Sequence, residues 1–257
     1  MTMTTMLTAT RRLLAGACAL ACLAAAPQAG AAPWGQGEQA AGGGAVTRQD
    51  RPVSHFNGLS VAVPGKVEVR TGNTEGLSIE TEDRLLPLIE TVVEDGTLKI
   101  RSKRNTNLRT RHLKIVVQVR ELDRVALAGS ADIDVDAMRA PKVRFDIGGS
   151  GEIKVGRVES EGVSVNLGGS GELEVGGGSA RNVSLSVAGS GEVDLARLRA
   201  DSANVSVAGS GDARLWVRNT LSLTVAGSGN VEYYGDPQLS KSVLGSGSVR
   251  RLGAAPN

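Results

Sequence analysis

A Gly-Ser turn returns through the second half of this chain at an almost constant interval, and few folds accept such regularity. It stands at Gly129-Ser130, then at Gly149-Ser150-Gly151, Gly169-Ser170-Gly171 and Gly189-Ser190-Gly191. Gly209-Ser210-Gly211, Gly227-Ser228-Gly229 and Gly245-Ser246-Gly247 continue the series. The serines lie 20, 20, 20, 20, 18 and 18 residues apart. A period of this length marks a repeat architecture in which each unit stacks on the one before it. Short alternating runs flank each turn, such as Val163-Ser164-Val165-Asn166-Leu167 before one and Glu172-Leu173-Glu174-Val175 after it. Apolar residues at every second position describe a half-buried strand, because a helix would repeat them every 3.6 residues. The glycines supply positive φ or close backbone approach at the turn.

At roughly 3.3 Å per strand residue, one 20-residue repeat covers about 66 Å, enough for one circuit of a coil. Equivalent positions then stack about 4.8 Å apart in neighbouring coils. An antiparallel meander would alternate turn types at its two ends, whereas here the phase of every turn is the same. The expected fold is therefore all-β: a parallel β-helix, or solenoid, with coils of about 18–20 residues and an irregular N-terminal cap. A sandwich or prism of similar strands stays open at this stage. In the coil, the column Ile133, Ile153, Leu173, Val193, Ala213, Val231, Val249 points inward. The serines form a ladder at the turn edge. Asp132, Glu152, Glu172, Glu192, Asp212, Asn230 and Ser248 form an outward column in which like charges repel. Lys154 and Arg214, two residues further on, offset part of that repulsion.

The N-terminus carries a different signal. Arg11-Arg12 precede an apolar run from Leu13 to Ala26, and small residues lead to Ala29-Gly30-Ala31. A basic flank, an apolar core and an A-x-A site describe a secretory signal peptide over 1–31, cleaved after Ala31. The run is too short for a typical membrane span. Cys18 and Cys22 lack the leucine of a lipoprotein anchor, so none is expected. Both cysteines fall within the signal, which leaves residues 32–257 without thiol or disulfide chemistry. Without Arg11 and Arg12, 27 basic residues face 27 acidic ones. Bulk charge thus gives nucleic-acid binding no support, and no later stretch reads as a transmembrane segment. The location expected is periplasmic or secreted.

Residues 32–53, rich in Gly, Ala and Gln, read as a flexible leader. A single solenoid domain is expected over 54–250, with 54–120 as its irregular opening, 121–250 as the regular repeats and 251–257 as a tail. Within the opening, Leu59 to Val69 is a degenerate strand–glycine–strand unit. Leu85 to Ile89 reads as a turn or short helical cap, and Glu94-Asp95-Gly96-Thr97 is a hairpin signal. An exposed solenoid end needs such an atypical cap, and at the other end Arg250 and Arg251 blunt the last coil.

His55-Phe56-Asn57-Gly58-Leu59, the turn Leu85-Leu86-Pro87-Leu88-Ile89-Glu90, Glu94-Asp95-Gly96-Thr97-Leu98 and the repeated Gly-Ser-Gly-Glu/Asp together resemble the auto-transporter adhesin head GIN domain family. The resemblance covers roughly residues 55–240. It implies an exported bacterial envelope protein built as a β-solenoid, with adhesion as the role in the family's name and no catalytic residues to carry over. The long passenger and membrane barrel of a true auto-transporter are not in this sequence.

Three groups of residues are candidates for function. The carboxylate row Glu152, Glu172, Glu192, Asp212 could bind calcium or supply a glycosidase acid/base pair. Calcium, however, wants six to eight oxygens gathered by a loop, and a glycosidase wants one distinct pair in a pocket. The row reads better as a solvated polar column. The basic segment Arg101, Lys103, Arg104, Arg109, Arg111, beside His112, could attract anionic glycans. Among the aromatics Trp34, Phe56, Phe145, Trp216, Tyr233 and Tyr234, the two Phe have core phase, and Trp216, Tyr233 and Tyr234 are the candidate contact patch. His55 and His112 lack metal-ligand spacing. Seven copies of one serine describe a turn, not a nucleophile. No catalytic residue, metal or cofactor is expected. The reading is an exported, non-enzymatic solenoid for adhesion, envelope binding or scaffolding, with an envelope polysaccharide or a protein as partner. A carbohydrate-active enzyme on the same fold and a periplasmic signalling partner are the alternatives.

Overall fold

Each regular repeat makes one circuit of three strand runs. In the computed structural model, which describes residues 38–41, 43–104 and 106–256, the repeat after Gly151 runs Glu152–Val155, turns, continues over Arg157–Ser160, turns again and returns over Gly162–Gly169. These three runs define a first, second and third face. Successive circuits pair in parallel, with Glu152 opposite Asp132, Val163 opposite Val143 and Gly169 opposite Gly149. Seven glycines with φ between 120° and 131° (Gly129, Gly149, Gly169, Gly189, Gly209, Gly227, Gly245) mark the corners and delimit six circuits. The fold is thus the expected parallel solenoid, and the meander, sandwich and prism fall away.

Alternation explains the core. Ile153, Val155, Val158, Val163, Val165 and Leu167 are all at most 2% exposed and stack on the same positions of the next coil. The inward column forecast from sequence is buried from Ile133 to Val231; Val249, in the last coil, is only half-buried. Fully burying a Val, Leu or Ile contributes about 1.5–3 kcal/mol, and the column repeats that gain at every coil. At the corner, the Ser150, Ser170, Ser190, Ser210, Ser228 and Ser246 amides donate to the glycine carbonyl one coil back at 2.8–2.9 Å. The serine side chains face solvent. Where the repeat shortens to 18 residues, the loss falls between Leu195 and Ser202, where pairing slips, and the Gly-Ser-Gly phase survives.

The opening region holds a change of strand order. Gly58–Ala62 and Gly65–Thr71, joined by Gly65 with φ 108°, form the degenerate unit seen in the sequence. They do not lie at the end of the stack. Leu59 pairs on one side with Leu98 and on the other with Val125, so this early unit is sandwiched between two later layers. Val67 is likewise placed between Ile115 and Ile133. Three antiparallel strands then cover the end: Gly76–Glu82 on Lys114–Val119, Val46–Arg51 on Gly76–Glu82, and Ile89–Glu94 on Thr97–Ser102. The hairpin at Asp95-Gly96 has φ 50° and 70°, and Leu86–Leu88 is a 3-10 turn, both as the sequence indicated.

Two boundaries differ from expectation. The stretch 32–53, read as a flexible leader, contains the strands Glu38–Ala41 and Val46–Arg51. Arg51 ties the second of these down by donating to the Leu86 and Ile89 carbonyls at 2.8 and 2.7 Å. The final strand runs Ser248–Gly253, so Arg251 belongs to the last coil and not to a tail. The expected signal peptide over 1–31, including Cys18 and Cys22, lies outside the described residues, as does Trp34.

Candidate functional site

The first face carries the carboxylates. Register places Asp132, Glu152, Glu172, Glu192 and Asp212 in one ladder, with Asp134, Lys154, Glu174, Asp194 and Arg214 beside it. The Lys154 ammonium sits 2.6 Å from Glu152, and Arg214 bridges Asp194 at 2.6 Å and Glu232 at 3.4 Å. Arg250 also pairs with Glu232. Hydrogen bonds from Arg250 and Arg214 hold the Glu232 carboxyl below its ordinary value. Partial burial, then the neighbouring Glu152 and Glu192, push Glu172 up. A raised carboxyl is what a general acid requires, but Glu172 stands exposed on an open ladder. Among the described residues, no group of three His, Cys, Asp or Glu side chains is placed to hold a metal ion.

The basic segment runs from Arg101, in the strand Thr97–Ser102, along the connection to Lys114–Val119, which holds a further strand, Thr106–Arg109, paired with Glu38–Ala41. Arg101 is neutralised there by Glu90 at 2.7 Å. Lys103, Arg104, Arg109 and Arg111 are exposed. The fold does not bring this loop together with the aromatic group, which lies in the second and third coils from the opposite end. In that group Trp216 and Tyr234 are partners in adjacent coils and half-buried. Tyr233 does not belong to a contact patch: it is 8% exposed, in the inward column opposite Leu215. Counting two residues on from buried Val231 puts Tyr233 inside, so of two adjacent tyrosines only Tyr234 can face outward. Phe56 and Phe145 are core, as their phase indicated.

The third face holds a feature that was not singled out from sequence. In four successive coils, 162–169, 182–189, 202–209 and 220–227, its residues include no charged side chain. Ser164, Ser184, Asn204 and Ser222 make one outward column, in register with Arg144 and Arg124. Gly162, Asn182, Ser202 and Thr220 make a second, in register with Lys142. A third contains Asn166, Ser186, Ser206 and Thr224, and a fourth only Gly or Ala. Between the first two columns, at the bend from the second face, runs a groove of about 910 Å³. Val143, Val163, Val183 and Ala203 underlie it with their side chains turned into the core, at most 5% exposed, and Asp123, Arg124, Lys142 and Arg144 lie at one end. Arg144 is paired with Asp146 at 2.6 Å, which holds the Asp146 carboxyl down, helped by Asn166. The signal was present in the repeat itself: the runs before the turns at Gly169, Gly189, Gly209 and Gly227 are uncharged, while those after the turns at Gly149, Gly169, Gly189 and Gly209 open on Glu or Asp.

No functionally curated protein matches the chain significantly in sequence. Solved structures do match it. A putative adhesin from Bacteroides fragilis superposes with a TM-score of 0.78 at 22% identity, covering 83% of this chain and 100% of its own. A putative lipid binding protein from Parabacteroides distasonis gives 0.70 at 26%, covering 84% and 100%, and a putative adhesin from the same organism gives 0.63 at 19%, covering 84% and 100%. The family profile "Putative auto-transporter adhesin, head GIN domain" matches residues 55–237. With that match spanning most of the solenoid, the chain belongs to the auto-transporter adhesin head GIN domain family.

Proposed function

We propose that the chain is an exported, non-enzymatic adhesin-type module whose contact surface is the uncharged third face. The observation that carries this reading is the contrast between faces: charges crowd the first face, whereas the third presents four coils of small hydroxyl and amide side chains in register. Stacked coils offer long surfaces suited to extended partners. The family's name and the names of the relatives agree with adhesion. A polysaccharide-cleaving role has less support, since Asp123 is the one carboxylate lining the groove and a glycosidase needs two. The name of the lipid-binding relative finds little echo here, because Leu239, Val243 and Leu244, exposed large apolar residues, lie on the strand Gln238–Gly245 and not around a cavity. The test is co-sedimentation of the purified protein with isolated bacterial envelope polysaccharide, with reducing sugar assayed in the supernatant. Saturable binding without sugar release is expected. Release of reducing sugar, or no binding, contradicts the reading.

A further inference from the structure

We infer that the groove between the second and third faces binds a linear glycan strand bearing carboxylates, laid along the solenoid axis with anionic sugars at the Arg124 and Lys142 end. The inference rests on the third face being the contact surface. Three observations lead to it. First, the groove is flanked by polar columns of Ser, Asn and Thr that run along the solenoid axis. A sugar has the matching groups, hydroxyls that both donate and accept, as Ser, Asn and Thr side chains do. Second, the rim groups recur once per coil. The column from Arg124 to Ser222 spans five steps, or about 24 Å at about 4.8 Å per step. That length fits several sugars and far exceeds one.

Third, the charge lies at one end. Arg124 and Lys142 have no ion-pair partner among the described residues, Arg144 is shared with Asp146, and Asp123 already accepts from Asn57 at 2.7 Å. A carboxylate arriving there would gain charge-assisted hydrogen bonds, about twice as strong as neutral ones. A protein partner fits less well. The backbone N–H and C=O groups of this face are spent coil to coil, which leaves nothing for an added strand. The groove lining includes no Trp, Tyr, Phe or Met to act as an anchor.

Calorimetric titration tests this with three probes: hexagalacturonate, digalacturonate and the uncharged cellohexaose. Hexagalacturonate should bind about tenfold or more tighter than either of the others, since the dimer reaches few coils and cellohexaose lacks the charge. Arg124→Ser with Lys142→Ser should remove the preference over cellohexaose, and Asn182→Ala with Asn204→Ala should weaken both hexamers. Glu192→Gln, on the first face, should change nothing. All these positions are exposed or at the groove rim, and circular dichroism checks that each variant folds. No binding of hexagalacturonate, or unchanged binding by the Arg124/Lys142 variant, overturns the inference. If envelope polysaccharide still sediments with the protein in that case, the contact-face reading stands and only the ligand class falls.

Discussion

The corner glycines hold this fold at the residue scale, and they do so in two separable ways. Gly189 has φ 131°, a conformation that L side chains rarely adopt, and a Cβ there would press into the Gly169 carbonyl below van der Waals contact. Gly129 has nearly the same φ, 129°, yet a Cβ would meet nothing within 4 Å. Gly129→Ala should therefore cost only the backbone strain, about 1–2 kcal/mol. Gly189→Ala should cost about 3 kcal/mol or more, because overpacking adds to it. Urea unfolding of the two variants measures the gap; equal losses would mean that the corners do not stack this tightly. Glu172 supplies a second residue-scale outcome. Its folded pKa is raised, so the native state holds the proton more readily than the unfolded chain does. Stability is then lost as pH rises from the ordinary carboxylate value through the raised one, and the penalty is fully present at neutral pH. Glu172→Gln should stabilise by about 0.5 kcal/mol at pH 7, a small figure because the group is exposed and screened, and by nothing below about pH 4. A loss of stability at pH 7 would contradict the repulsive ladder.

At the scale of elements, the last two strands are the ones left open. Gln238–Gly245 has a neighbour on one side only, at Thr220–Gly227. Its inward column reads Leu239, Lys241, Val243, and register sets Lys241 opposite buried Leu223. A charge in the inward column is a recognised way to stop further strands from adding. Lys241→Leu should raise the mass average in sedimentation velocity above that of the unsubstituted chain at equal concentration; no change would show that the edge is guarded by something else. Elements also show what could be read in advance. The regular coils were legible because each side chain meets its own repeat, and a period is a local property of sequence. The order of the opening strands was not, because Leu59 finds Leu98 and Val125 through pairing across distances that no local pattern encodes. Val46–Arg51 was hidden for a similar reason: its side chains are largely exposed, and Arg51 is what fastens it. Tyr233 and the uncharged third face are different. Both follow from phase and charge along the repeat: Tyr233, expected in the contact patch, stands two residues after buried Val231, and the uncharged face alternates with the carboxylate runs.

The whole molecule is a stack with one covered end and one open end, so its stability should be graded. Interior coils are paired on both sides, while Gln238–Gly245 and Ser248–Gly253 are paired on one. Hydrogen exchange should be fastest in those two strands and slowest near Val163–Leu167 and Leu185–Val187. Uniform protection would argue against a stack that opens from its C-terminal end. The same geometry turns one coil into three independent surfaces, and that permits the most direct test of where the molecule makes contact. In a chain with Cys18 and Cys22 changed to Ser, single cysteines replace Ser184 on the third face, Glu192 on the first or Arg199 on the second, all exposed. Each is coupled to a bulky polyethylene glycol maleimide and sedimented with envelope polysaccharide. The account predicts that the label at Ser184 abolishes binding and that labels at Glu192 and Arg199 leave it intact. Binding that survives the Ser184 label, or is lost only with the label at Glu192 or Arg199, would contradict it.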